Sequence, residues 1–315
     1  MQAYILRRLI LVPVTLFIIS IIVFIFMRAV PGDAGVAKCG AAGSFDQKCF
    51  EVVRQELGLD KPKVQQYWMW LSDIFKGDLG FSPLQRSHVN EEVWGRLWNT
   101  FQIGILSLSF TVLIGIPIGA ISAIRSGKLI DYILRFFAIL GISVPNFWIA
   151  TLIIFLPAYF WQVRVAPDWV GWEQPLMHLR VLALPAIILS LSGAGAIARI
   201  ARSSMLEVLS SDFVRTARAK GLRERVTVTR HVFRPSMITI FTIIGLQFSL
   251  VLGGSVIMEA IFGIQGIGLW VIEAIAARDF VIIQAIVMLL SFWFLLITLL
   301  VDVAYAWVDP RIRYS

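Results

Sequence analysis

Six long stretches without Asp, Glu, Lys or Arg constrain most strongly how this 315-residue chain can fold. At a rise of about 1.5 Å per residue, roughly 20 apolar helical residues cross a bilayer core of about 30 Å, so each stretch can span once. The mean hydropathy of +0.80 leaves too much apolar surface for one soluble core. We therefore expect an all-α membrane protein with six transmembrane helices. The stretches are Leu9 to Met27, Leu97 to Ile124, Phe136 to Val163, Val181 to Ala198, Pro235 to Met258 and Phe280 to Val301.

The first stretch could instead be a cleaved signal peptide, because Arg7 and Arg8 precede it. It is longer than a typical signal core, and Arg28 and Pro31 follow it in place of a small-x-small cleavage site. We interpret it as an uncleaved first span.

Basic residues are distributed unevenly among the short connections. Sixteen Lys and Arg residues lie in the N-terminus, the 125–135 turn, the 199–234 insert and the C-terminal tail, against three, at Arg164, Arg180 and Arg278, in the opposite connections. Short cytoplasmic connections carry the excess of positive charge. The pattern predicts a multi-pass protein of the inner (plasma) membrane, in contact with the lipid bilayer, whose N- and C-termini are both cytoplasmic.

The predicted spans divide the chain into four parts. These are a cytoplasmic N-terminus with the first span (1–30), a long extracytoplasmic loop (31–96), a transmembrane core with a cytoplasmic loop at 199–234 (97–305), and a cytoplasmic tail (306–315). Within the long loop, apolar residues at helical spacing predict an amphipathic helix that lies at the membrane interface or packs on the ends of the spans. They are Val64, Tyr67, Trp68, Leu71, Ile74 and Phe75.

The two cysteines, Cys39 and Cys49, both fall in this outer loop. An extracytoplasmic location is oxidising, and the Gly-rich segment between the two residues could close a small ring. The sequence favours a disulfide over two free thiols.

Several kinds of chemistry have no motif in the sequence. It contains no P-loop, no paired catalytic carboxylates and no clustered histidines, since His88, His178 and His231 are scattered outside the predicted spans. Glu259 borders the fifth span, and we expect it, like Asp302 at the sixth, to reach water. We predict a chain that is not an enzyme and holds no metal, cofactor or nucleic acid.

Prolines and glycines interrupt several of the predicted spans. Such residues kink helices or allow close helix approach, which suits a bundle that rearranges but is also common in static bundles. The candidates for kinks or gating are Pro117, Pro145, Pro157, Gly193 and Gly195.

The basic insert at 199–234 reads as helix, sharp turn and helix. Asp212 is a good N-cap, Phe213 to Lys220 can form two helical turns, and Gly221 suits the left-handed residue that ends a helix. Leu222 to Phe233 begins a second amphipathic segment. Phe213, Val214 and Ala217 can share one side of the first helix, which either enters a groove on another protein or only carries positive-inside charge.

The segment SSDFVRTARAKGLRERVTVTRHVFRPSM resembles the EAA loop of binding-protein-dependent ABC importer permeases, in the dipeptide/oligopeptide/nickel branch. The resemblance continues in order along nearly the whole chain, in ILRRL, VPGD, ELGLDKP, GDLG, SVPNFW, RSSMLEVL, GIQGIGLWVIEAI, RDFVIIQ and DPRIRY. One departure concerns the start of the fifth span, because Pro235 comes earlier than the Leu-Pro that the family often has.

The resemblance implies the type I ABC importer permease fold and a role as one half of a translocation pathway. It implies a second homologous permease subunit, two ATP-binding subunits that hold ATP and Mg, and an extracytoplasmic solute-binding protein as partners. It also assigns the contact with the ATPase to ten residues: Asp212, Phe213, Arg215, Thr216, Ala217, Arg218, Ala219, Lys220, Gly221 and Leu222.

The substrate and two other functional classes stay open at this point. The branch handles di- and oligopeptides, nickel complexes, sugars or opines, and we favour peptides. A self-contained secondary carrier or channel would transport without an ATPase. A membrane anchor or receptor that recruits a cytoplasmic protein would bind without any flux of solute.

Overall fold

The computed structural model describes residues 2–29, 51 and 60–308. Cys39 and Cys49 lie outside the described residues, as does the tail from residue 309. The two short strands are β1 (Phe81–Ser82) and β2 (Ser87–His88). The helices are α1 (Gln2–Ala29), α2 (Lys63–Phe75), α3 (Val89–Ile124), α4 (Leu129–Ser143), α5 (Asn146–Trp161), α6 (Pro175–Leu209), α7 (Asp212–Ala219), α8 (Glu224–Val226), a π-helix (Thr227–Phe233), α9 (Arg234–Phe262), α10 (Ile267–Ala277) and α11 (Phe280–Val308).

The described helices provide between four and six candidate membrane spans. Helices α1, α3, α6 and α11 each contain a segment long and apolar enough to cross alone. The pair α4 and α5, and the run from α8 to the end of α9, are bent and add up to two more. This agrees with the all-α membrane protein predicted from the uncharged stretches.

Several helices are longer than the uncharged stretches that predict them. Helix α3 begins at Val89, eight residues before Leu97, because its charged first turns are helical too. There Arg96 forms an ion pair with Glu92 one turn earlier, with Nη2 2.8 Å from Oε2. Charged residues therefore do not mark the end of this helix.

The third predicted span is a sharp elbow rather than one helix. Helices α4 and α5 meet at 91°, and the break falls at Val144 and Pro145. Val144 is extended, as a residue before proline tends to be. Pro157, another of the kink candidates, lies inside α5 without ending it. Pro117 likewise lies within the unbroken helix α3.

The chain divides into two compact units, the first made of residues 1–99 and 265–299. In this unit Tyr67 and Leu71 of α2 pack on Phe24 of α1, and the Tyr67 hydroxyl is 2.8 Å from Ser20 Oγ. The predicted amphipathic helix therefore packs on a span through one face. Val64, Trp68 and Phe75 on its other positions remain exposed.

The β1–β2 hairpin belongs to the same first unit. The Ser82 hydroxyl donates to the carboxylate of Asp279, which precedes α11. Gln85 accepts a 3.4 Å hydrogen bond from the indole N–H of Trp270, a fully buried residue of α10. These contacts fix the hairpin to α10 and α11.

The second unit comprises residues 100–264 and 300–315, and α6 is its most buried helix. Glycines allow close approach of α3 and α4 to α6. A Cβ atom on Gly119 of α3 would lie 2.5 Å from the Ala198 carbonyl oxygen, and one on Gly141 of α4 would lie 2.8 Å from that of Leu191.

Gly193 and Gly195 serve this packing and do not interrupt α6, which is continuous from Pro175 to Leu209. A Cβ on Gly195 would collide with the carbonyl oxygen of Ala138, and one on Gly193 would lie 3.0 Å from the Thr111 methyl group. In this structure both are sites of close helix approach.

Two polar residues lie deeper than their position in the sequence suggests. Glu259 is fully buried in α9, so the expectation that it reaches water is wrong. His178 is inside the first turns of α6, fully buried, with Nε2 2.6 Å from Gln102 Oε1. The uncharged-stretch criterion placed both outside the spans because it ended each span at the nearest charged residue.

Candidate functional site

Helix α7 begins at Asp212, so its N-cap lies one residue earlier than predicted. Ser211 occupies the N-cap position with extended backbone, and Asp212 is the first helical residue. A carboxylate in the first turn of a helix is favourable because the exposed N–H groups there carry partial positive charge. Asp212 also forms an exposed ion pair with Arg215, with Oδ1 3.5 Å from Nη1.

The end of α7 is a Schellman motif built on Gly221, which has a φ of +78° as the sequence predicts. Gly221 N–H donates to the Arg218 carbonyl at 2.9 Å, and Leu222 N–H donates to that of Ala217 at 3.3 Å. A Cβ atom on Gly221 would meet no atom within 4 Å. The requirement for glycine here is therefore one of backbone conformation and not of space.

An ion pair closes the turn between α7 and α8. Arg218 Nη2 lies 2.7 Å from Glu224 Oε1, and Arg218 Nε lies 3.2 Å from Oε2. This bidentate contact raises the pKa of the Arg218 guanidinium above its ordinary value. Both side chains are largely exposed, so the pair orients the turn more than it stabilises the fold.

One face of α7 is anchored in the second unit. Val214 is fully buried in a cluster with Ala123 of α3, Met205 of α6 and Val232 of the π-helix. Ala217, one turn later, is also buried. Phe213 is 50% exposed, so only two of the three apolar residues predicted to share one side, Val214 and Ala217, are buried.

The second predicted amphipathic segment continues into the fifth span without a loop. Helix α8 is followed directly by a π-helix from Thr227 to Phe233, and that by α9. Val232 is buried as the pattern indicates, but Val226 is exposed. A π-helical stretch inserts extra residues into a helix and is frequent near functional sites.

Nine of the ten residues assigned to ATPase contact lie together on one exposed surface. Ala217 is the exception, since it is buried beside Val214. We call the nine exposed residues the α7 surface: Asp212, Phe213, Arg215, Thr216, Arg218, Ala219, Lys220, Gly221 and Leu222.

The sequence assigned no role to Glu224, and it placed Val214 on an apolar side of the helix without identifying it as the anchor. Glu224 closes the turn by its ion pair with Arg218. Its position as an acidic residue between Arg223 and Arg225 is the feature of the sequence that could have indicated such a pair. Val214 is the anchor, and its apolar character within a basic helix indicated one buried side. Among the residues that the structure describes, no group of three or more His, Cys, Asp or Glu side chains could hold a metal ion.

Two family models match the chain. Residues 115–314 match the binding-protein-dependent transport system inner membrane component, and residues 1–104 match the N-terminal part of such membrane components. Together they cover both ends of the sequence and the basic insert. The match extends over far more of the chain than any single motif.

Curated relatives are similar over their full length. A putative peptide transport system permease protein of Brucella abortus is 38% identical over 316 residues, covering 100% of both chains. The glutathione transport system permease protein GsiC of Escherichia coli is 38% identical over 317 residues, also with 100% coverage of both.

Solved structures show the same fold at low sequence identity. An inward-facing structure of the MetNI methionine ABC transporter has a TM-score of 0.54 at 16% identity, covering 67% of this chain and 94% of its own. An amino acid ABC transporter has a TM-score of 0.51 at 18% identity, covering 67% and 92%. The helical arrangement, the full-length relatives and the family models agree: the chain belongs to the binding-protein-dependent transport system inner membrane component family and is the multi-pass permease of an ABC importer.

Proposed function

We propose that the α7 surface is the contact through which separate ATP-binding subunits drive this permease. The observation that carries the proposal is the two-sided character of α7. Its inner face is fixed through Val214 to three other helical elements, whereas its outer face exposes Phe213, Arg215 and Lys220. A short helix held in this way transmits displacement to whatever it is anchored on.

The mechanism follows from the anchoring cluster. Ala123, Met205 and Val232 belong to α3, α6 and the π-helix, so a force on α7 acts on all three at once. Closely packed cores switch as rigid bodies instead of deforming continuously. When the ATPase subunits close on ATP and Mg, α7 moves and the helices that line this half of the pathway change between outward and inward openings.

Peptides are the substrate class that we propose. The curated relatives at 38% identity are named for peptide and glutathione transport, and glutathione is itself a tripeptide. The described residues offer no cluster of metal-binding side chains, which gives no support to direct nickel ligation by this chain. An extracytoplasmic binding protein delivers the solute, and a second permease supplies the other half of the pathway.

The proposal includes the orientation of the chain in the membrane. The excess of Lys and Arg in the connections that include α7 supports a cytoplasmic location for α7 and both termini, on the side of the membrane where ATP is available. Residues 31–96 then lie outside, where Cys39 and Cys49 are free to form a disulfide.

Substitution of Gly221 tests the proposal. Gly221→Val forces a β-branched residue into the left-handed region at a cost of about 1–2 kcal/mol, which unwinds the turn that ends α7. In proteoliposomes with the ATPase subunits and a peptide-loaded binding protein, we expect peptide-stimulated ATP hydrolysis to fall by about tenfold, within the usual range of coupling free energies. Membrane insertion should be unchanged.

Two controls separate coupling from general strain. Gly77 has a φ of +84° and open space around its Cβ position, so Gly77→Val creates the same strain away from α7 and should leave stimulation intact. Gly221→Asn, which tolerates the left-handed conformation, should retain most of it. Normal stimulation in Gly221→Val would contradict the proposed role of α7.

A further inference from the structure

An ion pair between a buried carboxylate and a partly buried guanidinium joins α4 to α6 close to α7. Asp131, in the first turn of α4, is 1% exposed, and its carboxylate is held by the guanidinium of Arg202 on α6. Arg202 Nε donates to Asp131 Oδ1 at 2.8 Å, and Nη2 donates to Oδ2 at 2.9 Å. Two parallel bonds of this kind fix the relative orientation of the groups as well as their distance.

The same carboxylate also organises the turn between α3 and α4. Ser122 Oγ donates to Oδ1 at 2.5 Å, and the backbone N–H of Gly127 donates to Oδ2 at 3.0 Å. Arg202 Nη2 further donates to Ser126 Oγ at 3.3 Å. Asp131 therefore accepts four hydrogen bonds that come from α3, the connecting turn and α6.

This site lies directly beside the anchor of α7. Ser122 precedes Ala123 in the sequence, and Arg202 is one helical turn before Met205. Ala123 and Met205 are the two residues of α3 and α6 that share the buried cluster with Val214. The ion pair thus continues the anchoring cluster by one more turn and adds α4 to the helices that it joins.

Helix α4 leads straight to the elbow of the second unit. It ends at Ser143, and α5 departs at 91° after Pro145. The hydrophobic cluster around Val214 contains no residue of α4. The Asp131 carboxylate supplies the directional polar contact at the end of α4 nearest to α7.

Stability alone is a weak reason for such a pair. Desolvation of the buried Asp131 and the partly buried Arg202 offsets much of their attraction, and apolar replacements of buried pairs are often neutral or stabilising. What a bidentate pair provides in addition is a single relative geometry of the two helices. That geometry is what the transfer of movement from α7 into α4 requires.

We propose that Asp131 and Arg202 are positioning residues that carry the displacement of α7 into α4 and the α4–α5 elbow. The inference rests on the proposed function of α7 and extends it to a specific route within the chain. Neither side chain needs to contact the ATPase or the solute. The pair acts by keeping α4 in register with α6 while α7 moves.

The test uses the complete transporter in proteoliposomes, with the ATPase subunits, the second permease and a peptide-loaded binding protein. Arg202→Lys keeps the positive charge but loses the two parallel hydrogen bonds of the guanidinium. Asp131→Asn keeps the shape of the side chain but loses its negative charge. We expect both to lower peptide-stimulated ATP hydrolysis and peptide uptake by about tenfold, with basal hydrolysis within about twofold of the wild type.

A double variant keeps the test decisive if a single variant fails to fold. Asp131→Asn with Arg202→Gln leaves no unpaired buried charge, so its thermal unfolding midpoint should stay near that of the wild type. Peptide-stimulated ATP hydrolysis should still be low in this variant, because two neutral amides do not reproduce the bidentate contact between guanidinium and carboxylate. The exposed pair of Arg164 and Asp168 provides the matched control, since Asp168→Asn should change nothing.

Three results would overturn this inference. The first is normal stimulation of ATP hydrolysis in the double variant. The second is an equal loss of basal and stimulated hydrolysis in the single variants. The third is a stimulation that follows the thermal unfolding midpoint across all the variants. Failure of the proposed function is recognised separately, because Gly221→Val would then stimulate ATP hydrolysis as well as the wild type does. If Gly221→Val lowers stimulation and the Asp131 variants do not, only the route through α4 is wrong.

Discussion

At the residue scale, glycine has two different roles in this chain. Gly221 is required for its positive φ, with open space around its Cβ position. Gly119 has an ordinary helical backbone and is required because the carbonyl oxygen of Ala198 lies where a Cβ would be. The sequence alone identified Gly221, since a glycine after a basic helical segment has a recognisable pattern, whereas close packing between α3 and α6 has none at single positions.

Gly119→Ala tests this close packing. The added Cβ would lie 2.5 Å from a backbone oxygen and 2.6 Å from the Ala201 Cβ, so α3 and α6 must separate. Overpacking of this kind costs typically about 1–3 kcal/mol, and we expect a lower midpoint of thermal unfolding in detergent.

Gly253→Ala is the control for Gly119→Ala. Gly253 lies within α9 and has no neighbour within 4 Å of its Cβ position, so it should gain helix propensity without any clash. Equal unfolding midpoints for the two variants would mean that α3 and α6 do not pack as closely as the structure shows.

At the element scale, α7 presents one buried face and one exposed face. The apolar pattern suggested that Phe213, Val214 and Ala217 share one side, and the structure buries the last two but exposes Phe213. A helix of eight residues has too few turns for periodicity to decide which apolar residues face inward. The packing of α3, α6 and the π-helix decides it instead.

Alanine substitutions at the adjacent residues Val214 and Phe213 test the buried and the exposed face of α7 one at a time. Val214→Ala removes buried methyl groups from the cluster with Met205 and should lower stability by roughly 1–3 kcal/mol. Phe213→Ala removes an exposed ring and should leave the unfolding midpoint unchanged, while peptide-stimulated ATP hydrolysis falls. Thermal unfolding and ATPase assays on both variants measure this, and a stability loss at Phe213 equal to that at Val214 would contradict the assignment of faces.

The sequence predicted which segments form membrane-spanning helices better than it predicted where each helix begins and ends. Uncharged stretches indicated six crossings, and the structure contains four long helices and two bent pairs at those places. They could not indicate the 91° elbow at Pro145 in preference to a break at Pro157, because both prolines occupy apolar runs. Nor could they indicate that Asp131, in a turn flanked by basic residues, is buried against Arg202 from 71 residues further along.

At the scale of the whole molecule, this chain is the membrane permease of an ABC importer. It has no P-loop, and the family to which it belongs consists of the membrane components of binding-protein-dependent transport systems. The described structure provides an exposed α7 surface and an anchor that connects it to α3, α6 and the π-helix. Transport should therefore depend on contact at α7 and on movement of the helices behind it.

Photo-cross-linking from the α7 surface is the most direct measurement of that contact. With p-benzoylphenylalanine in place of Phe213, irradiation of the reconstituted transporter should capture an ATP-binding subunit, with a yield that changes when ATP is bound. The same probe in place of Phe75, which is 83% exposed on α2, should capture no such subunit. Capture at Phe75 but not at Phe213, or peptide uptake by this chain without any ATPase present, would contradict the central claim.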